Sequence, residues 1–219
     1  MPFMRIDHIG VAVADLEKAA ATFERLLGLK VAAREEVEDQ QLIAALVPTA
    51  DARFELMQPT DPGSVVGRFL ERRGEGIHHI CFEVGNIDEE IETLKSRDVQ
   101  LIQGAPRQGF VGLVEFIHPR SAAGVLVEIA QVSLRTPTST ETRLEAINIA
   151  TKNLDTATDL WKKNFQMVEK DPPNLATGAV DASEGGTRSV TLDPPGASGP
   201  ALIKFLQPDT PGVPLVDFI

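Results

Sequence analysis

The chain has 219 residues, 42% of them hydrophobic and 24% charged, with 17 glycines, 15 prolines and one cysteine; this composition describes a soluble globular protein and excludes collagen-like and disordered chains. Its 21 basic against 32 acidic side chains give a net charge of −11, so nonspecific attraction to nucleic acid or an anionic membrane is disfavoured and an anionic ligand needs a local basic patch. The lone Cys81 cannot close an intrachain disulfide, and the chain shows neither an apolar signal core nor a membrane-length apolar run, so a cytoplasmic protein is expected.

In chain order, alternating apolar residues over 6–13 predict a strand, followed by a helix on the stripe Leu16, Phe23 and Leu27. Asp15 stands where an N-cap is needed, and Gly28 where the helix must stop. Strands are then expected over 31–35, 41–48 and 53–57. The pattern repeats with a strand over 77–84, the cap Asn86 and the stripe Ile87, Ile91 and Leu94, then strands near Leu101 and over 111–117 and 125–130. A third copy has a strand over 144–150, the cap Asn153, the stripe Leu154, Trp161 and Phe165, and strands over 188–192 and 201–206. Gly/Pro-rich or polar runs over 171–178, 181–186 and 193–200 predict loops within it. RIDHIGVAVADLEKAAATFERLLGL from Arg5 aligns without a gap on RLEAINIATKNLDTATDLWKKNFQM from Arg143.

Each copy reads strand, helix, three strands, so the expected class is α+β: tandem βαβββ modules forming a cupped mixed sheet, with a third, degenerate module. Residues 1–131 form the paired modules, 132–142 a polar linker, and 143–219 the third module. Two modules can join their sheets into a cup, whereas the third has no fourth to pair with. A homodimer through the third module is therefore expected, with folding back over modules one and two as the alternative.

Strand parity picks out four polar residues on the inner surface. His8 shares a face with Gly10 and Ala12, and His79 with Cys81 and Glu83, while His78 is expected on the opposite face with Ile80 and Phe82. Glu55 opposes Phe54 and Leu56, and Glu128 opposes Val127 and Ile129. Taken singly, each is an ordinary buried histidine or solvent-facing glutamate. Together, two imidazoles at matching first-strand positions and two carboxylates at matching last-strand positions suit one divalent metal per chain: cobalt, zinc, nickel, manganese or iron. The matching residues of module three are Ala146 and Lys204, so no ligands are expected there.

With these four positions, the strings IDHIGVAV, RGEGIHHICFEV and HPRSAAGVLVEI resemble the vicinal oxygen chelate (glyoxalase/bleomycin resistance/dioxygenase) superfamily, and within it the methylmalonyl-CoA epimerases. The resemblance covers residues 5–131. It implies paired βαβββ modules, a divalent-metal site on His8, Glu55, His79 and Glu128, and a metal-dependent epimerase or isomerase that abstracts a proton alpha to the carbonyl of methylmalonyl-CoA or a related acyl-CoA. Glu128 and Glu55 become candidate acid–base residues. Gln41 and Cys81 are candidates for lining the cavity, Arg72 and Arg73 for meeting CoA phosphates, and Arg107 and Arg120, which flank the second module's loops, for substrate contact, against the plain reading of these arginines as solvent-facing. An additional carboxylate of some epimerases is expected at Ile43, where this chain has none. A glyoxalase I-like lyase, an extradiol-type dioxygenase and a nonenzymatic ligand-binding or resistance protein are the alternative readings.

Overall fold

Each predicted helix starts where the sequence supplies a short acceptor side chain. In the computed structural model, which describes residues 3–136, 140–170, 187–194 and 202–208, Asp15 accepts from Lys18 N at 3.0 Å, Asn86 from Asp88 N and Glu89 N, and Asn153 from Thr156 N. These caps begin α1 (Leu16–Leu27), α3 (Ile87–Ser96) and α4 (Leu154–Phe165). Gly28 ends α1 at φ 69°, in the left-handed region. The stripes of α3 and α4 are buried as expected, but Leu27 at the end of α1 is 48% exposed.

A further helix, α2 (Val65–Arg73), connects the first two modules. Its Ser64 cap accepts from Gly67 N, Gly74 terminates it, and Val66, Phe69 and Leu70 form its apolar face. This spacing of three and four was available in the sequence, yet no helix is predicted there.

The first module contributes β1 (Arg5–Ala12), β2 (Ala33–Val37), β3 (Leu42–Pro48) and β4 (Arg53–Pro59). The second contributes β5 (Gly76–Glu83), β6 (Arg107–Gln108), β7 (Gly112–Ile117) and β8 (Val127–Val132). They form one curled eight-stranded sheet in the order β2-β3-β4-β1-β5-β8-β7-β6, a mirrored sequence in which each module pairs its first and last strands in parallel. The seam is the antiparallel pair β1·β5. The third module, with β9 (Ala146–Ala150), β10 (Val168–Lys170), β11 (Thr187–Asp193) and β12 (Leu202–Pro208), forms a separate sheet in the order β10-β11-β12-β9. Its β9·β12 pair is again parallel. The loops expected over 171–178 and 181–186, and most of that over 193–200, lie outside the described residues.

The third module packs against the first two. Trp161, fully buried, donates its indole N–H to Ala122 O at 3.0 Å, and Asn164 donates to Ser121 O at 2.8 Å. Phe3 stacks between Phe82 and Phe165, so one apolar core runs from β5 and α3 into α4, β11 and β12. The opposite, inner side of the eight-stranded sheet is left free for chemistry. Among the described residues, no helix is long and apolar enough to cross a membrane.

Candidate active site

Two adjacent rows of the curled sheet carry the site. One row places Arg53, His8, Cys81 and Glu128 side by side, and the next places Glu55, Gly10 and His79. A β-carbon on Gly10 would sit 2.2 to 2.6 Å from the His79 ring, so only glycine lets that imidazole lie across β1. His8 Nε2 and His79 Nε2 approach to 3.2 Å. Glu128 Oε2 lies 3.0 Å from His8 Nε2 and 3.3 Å from His79 Nε2, and Glu55 Oε2 lies 3.4 and 3.6 Å from the same atoms. All four residues are at least nine-tenths buried.

These separations fit a metal cage. Bonds of about 2.0 to 2.2 Å to one first-row ion place neighbouring donor atoms about 2.8 to 3.6 Å apart, from right-angle to tetrahedral geometry. The charge balance fits as well. Burial opposes ionisation of Glu128, but hydrogen bonds and charge from His79 and His8 outweigh it and hold the carboxyl well below its ordinary range. Burial likewise opposes a charged His8, yet Cys81, Asp7 and Glu128 together raise its proton affinity well above the usual value. Burial pushes the Cys81 thiol up, against the opposing pull of the His8 charge. A cluster that draws positive charge this strongly is one that a divalent cation would satisfy. The donor groups His8, Glu55 and His79, and Asp7, His8 and Cys81, each converge within 4.8 Å.

Each histidine leans on a residue that parity arguments overlook. The β1·β5 ladder slips between Ile6 and His8, leaving Asp7 as the extra residue, and again between Gly10 and Val11, leaving His78 as the extra residue opposite. Asp7, fully buried, accepts from His8 Nδ1 at 2.9 Å and is clamped by Arg53, which also donates to Leu134 O. Burial raises the Asp7 pKa, but His8 and Arg53 more than compensate and bring it down to about 2. The second bulge overturns the expectation that His78 faces away: His78 lines the cavity, with Nδ1 at 3.1 Å from His79 Nδ1. Burial first, then the neighbouring His79, lower its pKa to about 3, so it is neutral.

The donors open into a cavity of about 460 Å³ between β3, α2 and β7. Of the residues expected to meet substrate, Gln41 and Arg107 line it. Arg107 lies over the Phe116 ring at 5.6 Å and 3.6 Å from Asp39 at the rim. Cys81 is instead fully buried beneath the donor cluster, and Arg72, Arg73 and Arg120 are exposed and not among the lining residues. Arg68, from the unpredicted α2, takes a place on the wall. On β3, Ile43 packs towards α1, and the inward residues are Leu42, Ala44 and Leu46. The carboxylate expected by resemblance at Ile43 is thus missing from the inner side of β3 altogether.

A curled pair of βαβββ modules holding a two-histidine, two-glutamate cluster at its seam defines the class. The chain belongs to the glyoxalase/bleomycin resistance protein/dioxygenase superfamily, whose family model matches residues 7–117. Within it the chain is closely related to the methylmalonyl-CoA epimerases. The ethylmalonyl-CoA/methylmalonyl-CoA epimerase of Cereibacter sphaeroides is 37% identical over 131 residues, 58% of this chain and 98% of that protein. The human mitochondrial methylmalonyl-CoA epimerase is 34% identical over 129 residues, 58% of this chain and 73% of that one. A Streptomyces coelicolor methylmalonyl-CoA epimerase variant in complex with 2-nitronate-propionyl-CoA superposes with a TM-score of 0.57 at 32% identity, covering 58% of this chain and 96% of that chain. The relationship and the donor clusters support an enzyme of the epimerase or isomerase type.

Proposed function

We propose that the chain is a metal-dependent epimerase that moves the proton on the α-carbon of an acyl-CoA thioester, with methylmalonyl-CoA or a close analogue as substrate. The observation that carries this reading is the pair of carboxylates, one from each module, on either side of two imidazoles that share one centre. His8, His79, Glu55 and Glu128 would hold the ion, and a divalent cation there supplies Lewis acidity to carbonyl oxygens at its open positions.

The chain's own residues supply the rest. Glu128, held ionised by its two histidines, is the base for the α-proton. Inversion needs a second proton carrier on the other face of the carbon. The β3 wall offers only Leu42, Ala44 and Leu46, and the other carboxylate lining the cavity, Asp39, is paired with Arg107; we assign the role to Glu55, the symmetry counterpart of Glu128. Arg68 and Arg107 on the cavity wall are the local basic groups that an acidic protein needs to hold a polyanionic CoA. Val65 and Ile102, 62% and 49% exposed, offer apolar contact to its arm at the mouth.

Proton NMR of methylmalonyl-CoA in D₂O with metal-loaded protein tests this. Metal-dependent exchange with inversion is expected, falling by about 10²- to 10⁴-fold in Glu128→Gln. In Glu55→Gln, exchange should outlast inversion. Absence of exchange by the metal-loaded wild type overturns the reading. The apolar β3 wall and the carboxylate at Glu55 favour one second reading, a glyoxalase I-like lyase; turnover of a glutathione hemithioacetal in place of the acyl-CoA would select it.

A further inference from the structure

Strand alternation gives β5 one inward histidine, and the bulge opposite Gly10 and Val11 gives it two. A bulge leaves its extra residue unpaired and re-aims a side chain. Here the re-aimed side chain is His78, 8% exposed, with its ring edge-on to Phe69 at 5.0 Å and Nδ1 at 3.1 Å from His79 Nδ1. His79 turns Nε2 to the other donors. With a bound ion taking that lone pair, its hydrogen would reside on Nδ1. His78 Nδ1 must then accept, and a neutral imidazole that accepts at Nδ1 carries its one hydrogen at Nε2. Among the described residues, His78 Nε2 has no hydrogen-bond partner, and His78 lines the cavity.

We infer that His78 is a two-ended positioning residue: its Nδ1 fixes the tautomer and orientation of His79, and its Nε2–H is offered to an acceptor oxygen of the ligand in the cavity. For the identity of that ligand the inference rests on the acyl-CoA reading, which it narrows. The favoured thioester has an anionic oxygen besides the thioester carbonyl, as a malonyl-type acid does and a simple acyl-CoA does not.

Three variants at one position separate the two ends. In His78→Asn the amide oxygen can stand where Nδ1 stood while the Nε2 donor is gone. His78→Gln does the reverse, and His78→Phe keeps the ring against Phe69 but removes both ends. Cobalt(II) affinity, measured by competition with a chelator, and the cobalt absorption spectrum are expected to be preserved in His78→Asn. Affinity should fall by about 10- to 100-fold in His78→Phe and His78→Gln. Calorimetric binding to cobalt-saturated protein should show that wild type and His78→Gln prefer methylmalonyl-CoA to propionyl-CoA, and that His78→Asn loses about tenfold or more of this preference. Wild-type cobalt affinity and spectrum in His78→Phe, or an undiminished preference in His78→Asn, overturn the inference. If the cobalt results hold while neither thioester binds the wild type, the acyl-CoA reading falls and the support of His79 stands.

Discussion

Modules one and three fold alike and differ in what they can do. Both begin with a strand, cap their helix with Asp15 or Asn153, and pair first and last strands in parallel. Their registers correspond residue for residue: His8 faces Arg53 and Gly10 faces Glu55 in one, Ala146 faces Leu202 and Asn148 faces Lys204 in the other. The candidate ligands, the clamp on Asp7 and the glycine that seats His79 are all replaced. The module's architecture thus depends on caps and alternation, which module three keeps, while the chemistry depends on a few inward residues, which it lacks. What module three contributes instead is the apolar surface of α4 against the first two modules.

The largest effect that could break this division is on stability. Trp161→Ala should cost about 3 to 5 kcal/mol, because it empties a fully buried site shared between modules. Urea unfolding would show the loss, and cobalt affinity of the remaining native protein should match the wild type; a parallel loss of affinity would mean that module three belongs to the site after all.

Gly10→Ala should act the other way round. The new methyl group displaces His79, lowering cobalt affinity by about 10- to 100-fold with little change in far-ultraviolet circular dichroism. Asn148→Ala, at the matching position of module three, should leave affinity unchanged.

The smallest effect separates the two halves of the site by pH. His78 has a folded-state pKa of about 3 against an ordinary value of 6.5. The unfolded chain therefore binds this proton first: the contribution is fully present above pH 6.5 and declines as pH falls, by at most about 1.4 kcal/mol per pH unit. Asp7, lowered to about 2 from 3.8, contributes stability that is lost only as the pH falls below its ordinary value. Urea unfolding of metal-free protein at pH 7 and pH 5 should thus show a decline in the wild type that is smaller in His78→Phe. Equal declines would deny His78 its buried, neutral state.

Most of the candidate site was legible because it obeys the two-residue period of a strand. His8, Glu55, His79 and Glu128 could be assigned to one inner surface from their neighbours, and the repeat set their equivalence. His78 and Asp7 were not, because each is the extra residue of a bulge and bulges suspend the alternation that the assignment used. Arg68 was missed with its helix, whose opening Val65, Val66 and Gly67 are weak helix formers that conceal a regular apolar spacing further on.

The local chemistry of the chain by itself determined three modules, their caps and four candidate ligands, since each follows from hydrogen-bonding capacity or side-chain period within a short stretch. Only the tertiary structure decided that α4 buries its face on the first two modules, that Gly10 admits the His79 ring, and that an acid backs one histidine while an imidazole backs the other. Those outcomes depend on contacts between residues dozens of positions apart, where closing the sheet brings side chains within hydrogen-bonding reach.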